Sequence, residues 1–346
     1  MRILVIDNFS YKAHKYFNQL HFETLLELGH TLHIIGRKGH FDNVEEDGRI
    51  ERSDVPECFY SKRPETPLII RLRWISCLLW LRLKFNPKHY DAVLIMTYDP
   101  MVIWVYRTRK TVMLVTHDGH YLDNKIKLFA LKTTPKHYIH VCINQGMEKH
   151  LKELLPDRKV CYVPHGLYRP SYNYKKPSYL YEGEKFLFCP INMKYEKTFV
   201  QMLMEDKSLH SYLENNNLKF YVKKQLLGGD SKSPMIIPID NDIPKQEYDF
   251  FMQNAFAVII PYDKEYMYRT SGIMLECVIR DTPVITTKLE AMAEFVGKVN
   301  IQMFEDVKGL IEALEFYKNN KLISVDKSVY NPLPYWKIVF SNYFSI

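Results

Sequence analysis

Short apolar runs rich in β-branched residues alternate with helical-period segments along the whole chain. This is the pattern of βα units around a parallel sheet buried on both faces. A first series of strands is expected at Ile3–Asp7, Thr31–Ile35, Ala92–Met96, Val112–Thr116, Ile139–Ile143 and Val160–Val163, with helical stretches such as Tyr11–Leu28 and Met147–Leu155 between them. Tyr168 to Glu184 (YRPSYNYKKPSYLYEGE) is crowded with Pro, Ser and Tyr and has no apolar period, so it reads as a connection. A second series follows at Phe186–Cys189, Leu218–Val222, Met235–Ile239, Ala257–Pro261, Val284–Thr287 and Ile301–Phe304. Its helices are expected at Thr198–Leu213, Lys245–Gln253, Gly272–Arg280, Leu289–Phe295 and Asp306–Tyr317.

The expectation is an α/β chain of two facing doubly wound, Rossmann-like domains, 1–167 and 185–331, joined by a linker over 168–184. The aromatic, apolar tail, 332–346, is expected to return as a helix onto the first domain rather than hang in water. Open α/β sheets bind ligands at the carboxyl ends of their strands, so a cleft between two such sheets is where chemistry is sought.

With 346 residues, 47 % hydrophobic and 25 % charged, the composition is globular and excludes a disordered or collagen-like chain. Lys and Arg number 47 against 40 Asp and Glu, a net charge of +7 that suits phosphorylated or anionic-surface ligands without demanding nucleic acid. MRILVIDNF opens without the basic and apolar regions of a secretory signal, which points to the cytoplasm. The six cysteines lie far apart, with no CxxC pair, and are expected as buried thiols. Thr66 to Phe85 is apolar but interrupted by Arg71, Arg73, Arg82 and Lys84, so it does not span a bilayer. It reads either as a domain helix with basic flanks or as an interfacial helix touching anionic membrane.

The richest segment is Pro261 to Val296. A strand ends, a polar loop follows, and a helix begins at Thr270-Ser271-Gly272, which turns free backbone N–H groups and the positive helix end toward a ligand, with Arg269 beside them. This is an anion site fit for a nucleotide diphosphate, or else an ordinary N-cap with a solvated arginine. One turn on, Glu276 sits in an apolar stretch, where an ionised carboxylate suits the paired hydroxyls of a ribose or sugar. His117, Asp118 and His120 share a loop after an inner strand, where they can bind a sugar hydroxyl or move a proton. Asp7, His14 and His165 are further acceptor-side candidates, His165 in a segment that also reads as a turn. Asp240-Asn241-Asp242 reads as a turn rather than a metal-binding acidic pair, so no metal or other cofactor is expected.

Tyr268 through Glu276 to PVITT and Glu294-Phe295-Val296 resembles the donor-site signature of GT-B glycosyltransferases, in particular the family 4 group. VPHGLY (163–168) and THDGH (116–120) are similar to two further motifs of that group, in the same order. The resemblance implies that Glu276 holds the ribose of a nucleotide sugar, that Ser271 and Gly272 line its diphosphate, and that Lys197 or Lys194 neutralises it. Ile191 stands where an Arg is usual, and Arg269 is placed to supply that charge. Tyr268 stands where the family often has a second Glu, and Glu265 lies nearby in sequence. The glycine-rich turn after the first strand is replaced by Asp7-Asn8-Phe9-Ser10.

The reaction so implied is transfer of a sugar from a nucleotide-diphosphate sugar to a glycan or lipid-linked hydroxyl, with retention, in bacterial surface polysaccharide or O-antigen assembly. An inverting enzyme needs a base on the opposite face, for which Asp118, Asp7 or His14 are candidates. The rivals are a nucleotide-sugar epimerase of the same shape and a sugar- or nucleotide-binding module that does not catalyse. A nicotinamide dehydrogenase is disfavoured, since no GxGxxG follows a strand.

Overall fold

The computed structural model describes residues 1–8, 14–61, 65–119, 124–167, 174–191, 199, 202, 205–227 and 233–344. Its contacts divide the chain into two compact units, Met1–Tyr168 with Tyr330–Ile346, and Arg169–Val329.

The first unit is built on seven strands: β1 (Arg2–Asp7), β2 (Thr31–Arg37), β3 (Ile50–Val55), β4 (Ala92–Ile95), β5 (Thr111–Thr116), β6 (Ile139–Cys142) and β7 (Lys159–Tyr162). They pair in parallel in the order β3-β2-β1-β4-β5-β6-β7. Ile3, Leu4, Val5 and Ile6 of β1 have no exposed surface, because neighbours on both edges and layers on both faces enclose them. The helices are α1 (Lys15–Glu27), α2 (Pro67–Lys84), α3 (Lys125–Lys132), α4 (Gln145–Leu154) and the C-terminal helix Leu333–Tyr343.

The apolar pattern predicts six strands here, and β3 is not among them. Its sequence is IERSDV, polar and half of it exposed, as an edge strand with a single partner can be. The return of the tail is seen directly, for Trp336, Val339 and Phe340 belong to the same core as Ile3, Phe17 and Leu94.

The second unit carries β8 (Lys185–Cys189), β9 (Leu218–Lys223), β10 (Ile236–Ile239), β11 (Ala257–Ile260), β12 (Val284–Thr287) and β13 (Ile301–Phe304), parallel in the order β10-β9-β8-β11-β12-β13. Phe188 stacks on Phe251 of the helix Lys245–Asn254 at 4.8 Å, and Phe186 meets the same ring edge-on. Of the helix expected over 198–213, the regular described part is Lys207–Asn215.

Cys77, Cys142, Cys189 and Cys277 are buried free thiols as expected, whereas Cys161 is half-buried and Cys58 exposed. The Thr66–Phe85 stretch forms α2, of which only Cys77, Leu78 and Leu81 are buried. Among the described residues no helix is long and apolar enough to cross a membrane.

Candidate functional site

In the second unit the functional candidates gather where β11 ends. Tyr262 is buried just beyond the strand and stacks flat on Tyr266, with ring centroids 3.9 Å apart. Thr286 and Thr287 of β12 donate hydroxyl hydrogen bonds to the carbonyls of Ile260 (2.9 Å) and Tyr262 (2.6 Å), and Ala291 N–H donates to Met267 O (2.8 Å). The loop is therefore pinned from the neighbouring strand and from the segment after it.

Ser271 Oγ accepts from Met274 N–H at 3.0 Å, the N-cap bond that starts the helix Gly272–Arg280, and lies 3.0 Å from the Tyr262 hydroxyl. Gly272 is exposed, and a β-carbon placed there would meet nothing within 4 Å. The helix start therefore has open space beside it at Gly272, in the turn whose first N–H groups have no intrahelical partner. The Arg269 guanidinium lies 5.0 Å over the Tyr266 ring, half-buried beside that opening, and Thr270 is likewise half-buried.

Glu276 follows one turn later, its side chain 18 % exposed, with Oε2 3.7 Å from Arg280 Nη1. Arg280 in turn donates to Asp249 Oδ1 at 2.7 Å, both groups being buried, and Lys245 Nζ reaches both Asp249 oxygens. One long ion-pair contact leaves the Glu276 carboxylate room to accept hydroxyl donors. Lys194 and Lys197 lie outside the described residues.

Lys223, which no motif singles out, is buried at the carboxyl end of β9, where it donates to the carbonyl of Asn241. Burial pulls its ammonium below the usual lysine range. Its position directly after the apolar run FYV was the available signal. The Asp240–Asp242 segment serves that tie, with Lys224 on Asp240 at 2.6 Å and Asn241 Oδ1 accepting from Gln225 N–H at 2.9 Å. Among the described residues no group of three or more His, Cys, Asp or Glu is arranged to hold a metal ion.

In the first unit a histidine cluster surrounds Phe17 of α1. His117, directly after β5, lies 4.7 Å from that ring and 4.2 Å from His14 between centroids, and His165 lies 4.7 Å from Phe17. His117 Nε2 is 2.9 Å from the Met96 carbonyl and must donate to it, which leaves Nδ1 as an acceptor when the ring is neutral. Burial, then the neighbouring His14, holds His117 well below the usual histidine range. Burial likewise pulls His165 down to about 4.

The His165 carbonyl accepts from His21 Nε2 at 3.2 Å, and His21 Nδ1 accepts from the Trp336 indole at 2.8 Å. A continuous hydrogen-bond path thus joins the 163–167 turn, α1 and the C-terminal helix. Gly166 in this turn has φ +83°, and a β-carbon there would sit 2.2 Å from Leu20 Cδ2. The VPHG motif is therefore built for close backbone approach.

Asp7, at the end of β1, is buried and already accepts from Asn18 (2.8 Å), His40 (2.7 Å) and Thr97 (2.5 Å). Asp118 is half-buried after His117, and His120 lies outside the described residues.

No family model matches this chain, and no curated protein sequence matches it. Solved structures do. A UDP-forming α,α-trehalose-phosphate synthase from Burkholderia vietnamiensis matches with TM-score 0.69 and 12 % identity over 100 % of both chains. A trehalose-6-phosphate synthase studied for glycosyl transfer with retention matches with TM-score 0.69 and 11 % identity over 100 % of this chain and 99 % of its own. A lipopolysaccharide outer core galactosyltransferase matches with TM-score 0.56 and 11 % identity over 99 % and 98 %. At such identities the likeness is one of fold, and it runs the length of the molecule: this chain has the two-sheet α/β fold of the GT-B glycosyltransferases.

Proposed function

We propose that this protein is a glycosyltransferase that moves a sugar from a nucleotide-diphosphate sugar to a hydroxyl of a glycan or lipid-linked acceptor. The observation that carries the proposal is the open helix start at Gly272 after β11, with Arg269 beside it and Glu276 one turn further on.

The barrier to glycosyl transfer lies in breaking the anomeric C–O bond while charge builds on the departing diphosphate. Backbone N–H groups at Gly272 and Ile273, the helix dipole and Arg269 meet that charge in fixed positions, so they stabilise the transition state more than the ground state. Lys197 or Lys194 is assigned the same task. With these cations no metal is needed. Ser271 holds the helix start in place through its cap bond, Thr270 borders it, and Glu276 takes the ribose hydroxyls.

Retention is the stereochemistry proposed, with the leaving phosphate taking the acceptor proton on the donor's front face. It is supported by the fold shared with a synthase studied for retaining transfer. His117 offers a neutral ring nitrogen to a sugar hydroxyl, while Asp118 and His14 are the bases that an inverting course would use. Asp7, already accepting three hydrogen bonds, positions α1 rather than taking a proton.

The likeness to an outer core galactosyltransferase supports a setting in bacterial surface polysaccharide or O-antigen assembly, at the cytoplasmic face of the membrane and in contact with it through 66–85.

The test is thermal stabilisation by a panel of nucleotides and nucleotide sugars, comparing the wild type with Glu276→Ala and Arg269→Ala. A ligand at a hundred times its Kd stabilises by about 2.7 kcal/mol. One nucleotide diphosphate is expected to stabilise the wild type and neither variant, and its sugar then enters a transfer assay. Stabilisation without transfer or hydrolysis would favour a binding module, which the Glu276–Arg280 contact also fits. Product formed without an acceptor would favour an epimerase.

A further inference from the structure

Helix α2 has two apolar faces, and only one of them is used. Cys77, Leu78 and Leu81 are buried against the first unit. On the other side Leu68, Leu72, Leu79 and Leu83 fall within an arc of about 60° at 100° per residue, and they are between 42 and 82 % exposed. A stripe of four leucines in water on one helix is not ordinary surface scatter. Arg71 and Arg82 border the stripe on one side, and α2 contains no acidic residue.

Helix α3 repeats the arrangement. Its sequence is KIKLFALK, again without an acidic residue, and Ile126 and Phe129 are 66 and 69 % exposed. Both helices pack against the same 3-10 turn, Ile103–Val105, from which Trp104 projects exposed. Arg107 ties that turn to the end of α3 by donating to the carbonyls of Trp104 and Thr133 at 3.2 Å. Among the described residues beside α2, Asp99 lies 4.0 Å from Arg71 and Glu65 2.7 Å from Arg73, so both carboxylates are engaged.

We propose that α2, the Trp104 turn and α3 form a single face that inserts into the surface of a bilayer containing anionic lipid. This extends the membrane contact of the proposed function from one helix to three elements, and its readout does not depend on catalysis. Leucines and aromatic side chains among Lys and Arg match the boundary between acyl chains and anionic headgroups. A second copy of this chain would instead bring two faces of the same sign together, which charge opposes.

The full-length protein is floated with vesicles of phosphatidylcholine alone and with phosphatidylglycerol added. Two double variants are compared with it, Leu72→Ser with Leu79→Ser on α2, and Ile126→Ser with Phe129→Ser on α3. Binding is expected on the anionic vesicles only, weakened by high salt, and about tenfold or more weaker for each double variant. The circular dichroism spectrum should not change, since all four side chains face water. Equal binding to both vesicle types would overturn the proposal, as would an α3 variant that binds like the wild type. Vesicle binding that is absent, together with a concentration-dependent dimer dissolved by the same substitutions, would assign the face to a second copy instead.

Discussion

Asp249 and Arg280 are both buried and paired with each other, and the exposed Lys245 reaches Asp249 as well. Removing one member of such a pair strands its partner without water, at a cost of about 3–5 kcal/mol. Lys245 still holds Asp249, so Arg280→Met should destabilise the second unit by less than that in denaturant unfolding, and Arg280→Met with Lys245→Met should approach the full cost. Arg280 also faces Glu276, so if Glu276 takes the ribose as proposed, the single variant is expected to weaken nucleotide binding even where it remains folded.

His21 makes a different demand. Burial first, and His165 second, pulls it from the usual 6.5 down to about 3. The unfolded chain takes up a proton that the folded chain refuses, so the contribution of His21 to stability is full above about pH 6.5 and is lost as pH falls toward 3. At pH 5 the loss amounts to about 2 kcal/mol. Urea midpoints measured at pH 7 and pH 5 should differ less in His21→Gln than in the wild type.

Among the elements, the 163–167 turn and the C-terminal helix depend on each other through α1. Trp336→Phe keeps a buried ring and deletes the indole N–H, leaving His21 Nδ1 without its donor. It should cost about 1–3 kcal/mol. Gly166→Ala combines a left-handed backbone with a clash against Leu20, and at about 1–2 kcal/mol for the backbone alone it should lower the thermal midpoint. Leu20→Ala in the same chain should restore the part due to the clash and leave the part due to φ. Full restoration would show that the backbone conformation carries no cost.

At the scale of the molecule, the first unit is assembled from both ends of the chain. Ending the chain at 329 removes Trp336, Val339 and Phe340 from the core around β1 and β4, while every strand of the second unit remains. Calorimetry is expected to show the transition of the first unit lowered or lost and that of the second retained. A uniform fall of both transitions would mean that the units do not unfold separately.

Every strand but β3 was legible because parallel strands covered on both faces must be apolar along their whole length, whatever their neighbours. The start of the helix at Gly272 was legible for a similarly local reason, since Ser271 caps it within three residues. β3 escaped because an edge strand can be polar, and nothing local distinguishes IERSDV from a loop. Lys223, the saturated carboxylate of Asp7 and the engagement of Glu276 by Arg280 depend on which side chains come to lie beside them.

The sequence by itself determined the α/β class, the order of its elements apart from β3 and the polar loop that follows β11, because those follow from periodicity and local capping. Only the tertiary structure decided which polar groups are already satisfied, which histidines meet around Phe17 and which leucines of α2 remain in water. The hydrogen bond from Trp336 to His21 joins residues 315 positions apart. A contact of that kind is created by the packing of whole elements, and no window along the chain contains it.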